Sequence, residues 1–174
     1  MNVTLDPVTS TLWPALANLA QLYQYDFSEI ENGIVNLAGR FTYLDPTTLE
    51  RRLNEPGAEA WLFRVTDEEW LQETLAGFAI ALPAPDHPGA REIDEFFVMR
   101  RYRRLGIGRA TADAILRATA GPWVVQGTRH NTGARDFWKR VISGIDVAHQ
   151  LTEHETPAVV YPAWTLQFTI SSPA

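Results

Sequence analysis

A junction near the middle of the chain, where a β-rich run passes into a helix-forming run, limits the fold most strongly. The run REIDEFFVM is rich in apolar and aromatic residues and predicts a strand. GIGRATADAILRATA, residues 106–120, predicts a helix. Its inward-facing residues are expected to be Ile107, Ala110, Ala114 and Ile115. A Gly-Pro pair stops this helix and WVVQGTR predicts another strand, so the three runs indicate a crossover unit within a sheet.

The runs on either side of this unit alternate between helical and extended patterns. STLWPALANLAQLYQYDF has apolar residues at helical spacing, with Ser10 or Thr11 as its N-cap. DPTTLERRLNEPG predicts a second helix that Asp45 caps, and NTGARDFWKRVIS predicts one capped by Asn131 or Thr132. NVTL, AWLFRVT, TLAGFAIAL, DVAHQLT and AWTLQFTI predict strands. The expected fold is mixed α/β (α+β), a mostly antiparallel sheet of about seven strands flanked by about four helices.

Composition excludes several classes of protein. With 174 residues, 45% of them hydrophobic, the chain is long enough to bury one core, and a single domain over residues 1–174 is expected. The absence of cysteine excludes disulfides, thiolate metal sites and a cysteine nucleophile, and no metal site is predicted. There is no signal-peptide pattern, and no stretch approaches the roughly 20 apolar residues of a membrane span. We therefore expect a cytoplasmic protein with no membrane partner.

Five of the fifteen basic residues fall within RRYRRLGIGR, residues 100–109, although the net charge of the chain is -6. Three interpretations are open for this cluster: a nucleic-acid patch, a solvated basic turn, or a cradle for a small polyanion. The acidic balance of the chain and the lack of a recognition-helix pattern disfavour nucleic acid. The position before a helix favours the cradle, because a helix N-terminus has unpaired N–H groups and glycines let a ligand approach the backbone.

Two familiar glycine motifs do not fit this cluster. A Walker A loop needs Gly-Lys-Ser/Thr, which is absent, and the dinucleotide fingerprint needs a third glycine where Thr111 stands. FFVMRRYRRLGIGRATADAIL instead resembles the acyl-CoA signature of the GNAT superfamily of N-acetyltransferases, Arg/Gln-x-x-Gly-x-Gly/Ala at a strand-to-helix junction. NTGARDFWKRV resembles the later asparagine helix of that family, and the order of elements is similar over nearly the whole chain. QLYQYDFSE also resembles a little-characterised bacterial branch of predicted acetyltransferases.

The resemblance implies the GNAT-like acyl-CoA acyltransferase fold and acetyl-CoA as the acyl donor. In the family, backbone N–H groups of the glycine loop bind the CoA pyrophosphate, and the preceding strand end and the asparagine helix hold the pantetheine arm. The matching positions here are Phe97, Val98, Met99, Arg103, Arg104, Leu105, Gly106, Ile107, Gly108, Arg109, Asn131, Ala134, Phe137 and Trp138. The Arg103 and Arg104 side chains are the expected phosphate partners, whereas Arg100 and Arg101 are expected to be only solvated.

Acetyl transfer to an amine needs a group that removes a proton from the attacking nitrogen. Glu95, in the run EIDEFF, is the first candidate, because strand alternation places it among apolar residues where a carboxyl is partly desolvated. A structural salt bridge, or a carboxylate that holds a cationic substrate, is the alternative for Glu95. His130, at the end of the next predicted strand, is the second candidate base, and a plain surface histidine is its alternative.

Trp138 stands where many members of the family carry a tyrosine that protonates the CoA thiolate. An indole N–H donates a hydrogen bond but supplies no proton at neutral pH. Tyr23, Tyr25 or solvent would then protonate the thiolate, or it would leave unprotonated. The difference also leaves an alternative function open, that of a catalytically weak or inactive CoA-binding sensor or interaction module.

The resemblance further implies that the first two helices cover the acceptor. The residues expected to line that pocket are Tyr23, Tyr25, Asp26, Phe27 and Glu95. Core packing is the alternative for Tyr23, and helix capping for Asp26. The leading hypothesis is an acetyl-CoA-dependent N-acetyltransferase that moves the acetyl group to a primary amine by direct attack. A small-molecule amine is favoured over a protein or peptide, no nucleic-acid partner is expected, and terminal strands such as AWTLQFTI can pair across subunits in a homodimer.

Overall fold

The computed structural model describes residues 2–67, 69, 71–155 and 161–172, so the predicted domain limits, residues 1 and 174, lie outside it. The described residues form seven strands: β1 (Val3–Pro7), β2 (Glu59–Asp67), β3 (Gln72–Pro83), β4 (Arg91–Val98), β5 (Gly121–Gly127), β6 (Ala148–Glu155) and β7 (Trp164–Ile170). They also form four α-helices and one short 3-10 helix: α1 (Trp13–Phe27), α2 (Pro46–Leu53), α3 (Ile107–Arg117), α4 (Thr132–Ser143) and Arg100–Tyr102. The predicted mixed α/β fold is therefore confirmed.

The seven described strands are hydrogen-bonded in the order β1-β2-β3-β4-β5-β7-β6. β4 runs parallel to β5, with Arg91 opposite Trp123 and Ile93 opposite Val125. The β1–β2, β5–β7 and β6–β7 pairs are antiparallel. α3 connects the two parallel strands, as the succession of strand, helix and strand in the sequence indicated.

The chain divides into two compact units. The first unit comprises Met1–Ile80 and Glu95–Ile107, and the second comprises Ala81–Asp94 and Gly108–Ala174. β3 and β4 each contribute residues to both units. The residues expected to act at the glycine loop and near the amine thus fall mainly in the first unit, and those of the asparagine helix fall in the second.

The first helix begins with a cap that the sequence did not indicate. The N-cap of α1 is Leu12, which makes no side-chain capping bond, so the prediction of Ser10 or Thr11 is wrong. The N–H of Leu12 donates to the carbonyl of Thr9 at 3.0 Å, and this preceding turn starts the helix without a capping side chain. The cap predicted for α2 is confirmed.

Two glutamines of α1 hold the connection between α1 and α2. Gln21 accepts a hydrogen bond from the N–H of Phe41 at 2.9 Å and donates one to its carbonyl at 3.3 Å. Gln24 makes the same pair of contacts with Leu44, at 3.0 and 3.3 Å. Each side-chain amide bonds to one backbone N–H and one carbonyl, as a neighbouring strand would. The polar atoms of the buried Gln24 are therefore satisfied.

The buried face of α3 differs from the predicted one. Ile107 and Ile115 are buried as expected, but the predictions for Ala110 and Ala114 are wrong because both are exposed. Thr111 is buried instead, and its hydroxyl donates to a carbonyl of the preceding turn at 3.2 Å, which removes most of the cost of burying it. Among the described residues, every helix falls short of the length or the apolar character that crossing a bilayer requires.

Candidate active site

The loop that follows β4 has an uncommon backbone conformation. After the 3-10 helix, Arg103 is extended, Arg104 has a left-handed φ of +64° and Gly106 has a φ of +82°. A left-handed residue other than glycine costs about 1–2 kcal/mol, so contacts nearby must hold Arg104 in place. A Cβ on Gly106 would meet no atom within 4 Å, and Leu105 is 53% exposed. The loop therefore presents exposed backbone directly before α3 begins.

Asp26, near the end of α1, holds two of the loop arginines. Its carboxylate accepts hydrogen bonds from Arg100 Nε and Arg103 Nη2. Arg103 Nε also donates to the carbonyl of Val98 at 2.8 Å, and Arg100 reaches Glu29 at 2.7 Å. Burial alone would raise the pKa of Asp26, but the hydrogen bonds from Arg103 and then Arg100 outweigh burial and lower it. Arg103, one of the two expected phosphate partners, is thus already bound to a carboxylate.

Asp67, at the end of β2, binds the side chains of Arg101 and Tyr102. It is 3% exposed and accepts hydrogen bonds from the Tyr102 hydroxyl at 2.9 Å and from Arg101 Nε at 3.1 Å. Glu69 contacts the same guanidinium from the solvent side, at 2.6 Å. Since Arg100 and Arg101 both form ion pairs, the prediction that they are only solvated is wrong.

Arg104 and Arg109 complete the arginine cluster. Arg104 is exposed. Among the described residues, the ion pairs of this loop are made by Arg100, Arg101 and Arg103 and not by Arg104. Arg109, in the second unit, has its Nη2 3.1 Å from the position that a Cβ would take on Gly144. The cluster in the first unit is therefore largely neutralised by its own acids, and Arg104 is its outward-facing cation.

The end of β4 and the residue after it, Met99, lie close to β3 in the first unit. The N–H of Met99 donates to the carbonyl of Ala76 at 2.8 Å. Gly77 allows the strands to approach, since a Cβ there would lie 1.9 Å from the carbonyl oxygen of Phe97. The pantetheine arm would pair with backbone groups here in the manner of an added strand. The Met99 N–H is already bonded to Ala76. The carbonyl of Val98 accepts a bond from Arg103 and keeps a second lone pair for another donor.

Glu95 lies in the interior of the first unit beside a guanidinium. It is 3% exposed, and its Oε1 is 3.2 Å from Arg52 Nη1. The Arg52 guanidinium also lies 5.1 Å from the centre of the Tyr43 ring, within cation–π distance. The salt bridge that the sequence left open for Glu95 is present. To take a proton from an amine, Glu95 would have to give up part of this ion pair.

The aromatic residues expected near the acceptor are divided between core and surface. The Tyr23 ring has its centre 5.5 Å from Phe27, 5.8 Å from Phe78 and 5.6 Å from Phe97. Ring pairs at this spacing add to the stability of a core. Tyr25 is 70% exposed whereas Tyr23 is half-buried, so Tyr25 is the more accessible of the two tyrosines of α1.

The asparagine helix lies in the second unit. Asn131 caps α4, as predicted, because its Oδ1 accepts a hydrogen bond from the N–H of Ala134 at 3.2 Å. The rings of Phe137 and Trp138 meet edge to face, with centres 5.1 Å apart. Trp138 is 4% exposed, whereas Phe137 is half-buried and the preceding His130 is exposed. The indole at the usual tyrosine position therefore serves the core of this unit.

Sequence patterns did not single out Arg52, Asp67 or Thr128. Arg52 and Asp67 meet partners 43 and 35 residues away, and no local motif indicates pairs at such distances. Thr128 Oγ1 is buried and has no hydrogen-bond partner among the described residues, although the carbonyl of Thr128 accepts from Trp164 Nε1 at 2.9 Å. A buried hydroxyl left without a partner costs about 1–3 kcal/mol of stability, so the role of Thr128 needs a test of its own. Its only signal in the sequence is its position directly after β5.

The seven-stranded mixed sheet with its four helices is the fold of known acetyltransferases, and a family match shows the class of the chain. Residues 17–142 match the Acetyltransferase (GNAT) family, and the chain belongs to this family. The expected GNAT membership and acyltransferase activity are thus confirmed. No curated protein sequence matches the chain.

Solved acetyltransferase structures share this fold over almost all of the chain. A GNAT-family acetyltransferase from Staphylococcus aureus Mu50 superposes with a TM-score of 0.63 at 10% identity, covering 98% of this chain and 100% of that one. A spermidine N-acetyltransferase chimera from Vibrio cholerae gives 0.59 at 9% identity, covering 98% and 95%. The ribosomal-protein-S18-alanine N-acetyltransferase from Escherichia coli gives 0.55 at 16% identity, covering 99% and 97%. At these identities the likeness concerns the fold.

Proposed function

We propose that this chain is an acetyl-CoA-dependent N-acetyltransferase, a single domain that transfers the acetyl group of the CoA thioester to a primary amine by direct attack. The observation that carries the proposal is the loop between β4 and α3. There, left-handed Arg104 and Gly106 leave exposed backbone immediately before a helix N-terminus. Membership of the GNAT family supports acetyl transfer as the reaction.

The residues of the loop fit a polyanionic donor. The space beside Gly106 is open, and Arg104 adds a guanidinium that can meet a phosphate. In the first unit, the N–H groups of Arg104, Leu105, Gly106 and Ile107 would hold the pyrophosphate together with the Arg103 side chain. The strand end at Phe97, Val98 and Met99 would hold the pantetheine arm. In the second unit, Gly108, Arg109, Asn131, Ala134, Phe137 and Trp138 would contact the donor. When bound, acetyl-CoA supplies an activated acetyl group.

Glu95 and His130 are the groups that we assign to the amine proton. Glu95 lies 3.2 Å from Arg52, and as a carboxylate it would orient a cationic amine and take its proton through water. His130 is exposed and serves as the alternative base. Trp138 is buried and supplies no proton, so Tyr23, Tyr25 or solvent would protonate the released thiolate, or it would leave unprotonated.

The acceptor that we propose is a small primary amine. The half-buried Tyr23 and Phe27 and the buried Glu95 would line its pocket, and the exposed Tyr25 would meet it at the surface. Among proteins of this fold, one is named for spermidine and another for an alanine of ribosomal protein S18. A protein or peptide amine is therefore the second acceptor class to test.

The proposal is tested by measuring CoA release with acetyl-CoA and a panel of amines. Because the chain contains no cysteine, a thiol reagent reads the released CoA without background from the enzyme. The panel contains spermidine, an aromatic amine and a peptide with amino-terminal alanine. We expect enzyme-dependent thiol release with at least one amine, and the N-acetylated product by mass spectrometry. Binding of acetyl-CoA without release from any amine would favour the CoA-binding module, and no binding at millimolar acetyl-CoA would refute both.

A further inference from the structure

Four consecutive side chains in front of the glycine loop are tied to two carboxylates of the first unit. Asp26 binds Arg100 and Arg103, and Asp67 binds Arg101 and Tyr102. We call Asp26 and Asp67 the loop anchors. Asp26 is near the end of α1 and Asp67 is at the end of β2, so the segment is fixed to two different elements.

The anchored segment ends where the backbone is strained. Arg103 is the last tied residue, and Arg104 follows it with φ of +64° and an exposed side chain. A residue other than glycine keeps such a conformation only where its surroundings over-determine it. The second bond of Arg103, from its Nε to the carbonyl of Val98 at 2.8 Å, closes the turn over the end of β4. These contacts fix the backbone directly before the left-handed residue.

We propose that Asp26 and Asp67 are positioning residues for acyl-CoA binding, which hold Arg100–Arg103 so that the backbone from Arg104 to Ile107 is already arranged for phosphate. This inference rests on the proposed function, because it concerns the donor assigned there. It also gives Asp26 a different role from the one implied by the family resemblance. A carboxylate bound to two guanidinium groups serves the donor loop and not the acceptor amine.

Charge alone predicts that removing the Asp26 carboxylate strengthens the binding of acetyl-CoA, the opposite of what the anchor role predicts. A carboxylate near a polyanion site repels the ligand, and it occupies two arginines that phosphate could bind. Replacing Asp26 by asparagine would on those grounds tighten the binding of acetyl-CoA. If Asp26 is an anchor, the same substitution weakens binding, since the ligand must then also order the loop. The sign of the change therefore separates the two explanations.

Glu29 provides a control with the same change in charge. It is 76% exposed and contacts Arg100 from outside the Asp26 pair. Glu29→Gln removes one negative charge from this region but leaves both bonds of Asp26 intact. Tyr102→Phe provides a second test at the other anchor, because it removes the hydroxyl that donates to Asp67 and keeps the buried ring. Asp26→Glu keeps the negative charge but lengthens the side chain by one methylene, and so tests whether the geometry of the anchor matters.

The experiment measures the Kd of acetyl-CoA by calorimetry, and kcat and both KM values by thiol release, for the wild type and these variants. Amide hydrogen exchange of residues 104–107 in the free protein gives a readout that needs no ligand. We expect Asp26→Asn and Tyr102→Phe to raise the Kd and KM of acetyl-CoA about tenfold, with kcat and the amine KM within about twofold. Exchange should be faster in both variants, Glu29→Gln should bind like the wild type, and Asp26→Glu should recover part of the affinity.

Three results would overturn the inference. Equal or tighter binding in Asp26→Asn, with the wild type binding normally, would refute the anchor role and leave the proposed function standing. A rise in the amine KM alone would return Asp26 to the acceptor. A wild type that binds no acetyl-CoA would refute the proposed function, and the inference with it. Should Asp26→Asn fail to fold, Asp26→Glu tests the role of Asp26 and Tyr102→Phe that of Asp67, and wild-type affinity and amide exchange in both variants would refute the inference.

Discussion

Arg52 Nη1 lies 3.2 Å from Glu95 Oε1, and the two side chains are only 15% and 3% exposed. An ion pair in such a setting is costly to break, because either partner left alone is a buried charge without compensation. The pair links α2 to β4 within the first unit. Replacing Glu95 therefore also changes the surroundings of the Arg52 guanidinium, and the choice of substitution has to allow for this.

We expect Glu95→Gln to lower kcat by roughly a hundredfold and to leave the Kd of acetyl-CoA within about twofold. The amide keeps the shape of the side chain and an acceptor for Arg52, but it can neither carry charge nor take a proton. Thiol release and calorimetry measure the two quantities, and the pH profile of kcat should flatten. Asp94→Asn, at the half-buried neighbour on β4, is the control. Unchanged kcat in Glu95→Gln would assign the Arg52–Glu95 pair to stability alone.

Gly106→Val should abolish detectable binding of acetyl-CoA. A β-branched side chain would enter the open space beside the loop and would be strained at a φ of +82°. Gly89 is a matched control, because its φ is +81° and a Cβ there also meets no atom within 4 Å. Both variants should lose about 1–2 kcal/mol of stability from backbone strain, but Gly89→Val should bind acetyl-CoA normally. Retained affinity in Gly106→Val would move the phosphate site away from this loop.

Local sequence patterns predicted the glycine loop, whereas the partners of its arginines are residues far away in the sequence. The spacing of Gly106 and Gly108 between a strand run and a helix run is visible in ten residues, so the loop could be located from sequence. The partner of Arg103 is Asp26, 77 residues earlier, and the partner of Arg101 is Asp67, 34 residues earlier. Pairing at such separations depends on how the elements pack, and a single sequence does not encode it as a pattern.

The helices show the same division between local and tertiary causes. Asp45 and Asn131 could be predicted as caps because a cap bonds to the next turn of its own helix. The buried face of α3 could not be predicted, since alanine is compatible with either side of a helix. A threonine there can be buried because its hydroxyl bonds to a carbonyl of its own backbone turn. The bonds of Gln21 and Gln24 to the connection between α1 and α2 could not be predicted either, because their partners are 20 residues away.

Thr128→Val should raise the melting temperature and reduce catalytic efficiency. Valine has nearly the shape of threonine and removes a buried hydroxyl that has no partner among the described residues, which should gain about 1 kcal/mol of stability. If that hydroxyl binds the donor or the amine, kcat/KM falls about tenfold at the same time, and Thr128→Ser retains activity. Thr111→Val is the contrasting control, because the hydroxyl of Thr111 is already bonded and its loss should destabilise. A destabilised Thr128→Val with full activity would indicate a structural water at Thr128.

Glu153 on β6 joins two cations of α4 in the second unit. It lies 2.6 Å from Lys139 Nζ and also accepts a hydrogen bond from Arg135. The bond from Lys139 has the largest effect on the pKa of Glu153, and with Arg135 it outweighs burial and lowers that pKa. A carboxylate whose pKa is lowered by folding contributes stability above its unfolded pKa, about 4.3 for glutamate. This contribution is lost as the pH falls through the lower folded value.

We therefore expect Glu153→Gln to lower the free energy of unfolding by about 1 kcal/mol at pH 7. The difference from the wild type should shrink below about pH 4 and disappear as the wild-type Glu153 becomes protonated. Urea unfolding of both proteins at several pH values between 3 and 7 measures it. Glu155→Gln is the matched control, since Glu155 is 62% exposed and contacts Arg135 alone of these two cations, and its effect should be smaller. A difference that stays constant down to pH 3 would mean that Glu153 stabilises α4 and β6 through its shape and not through its charge.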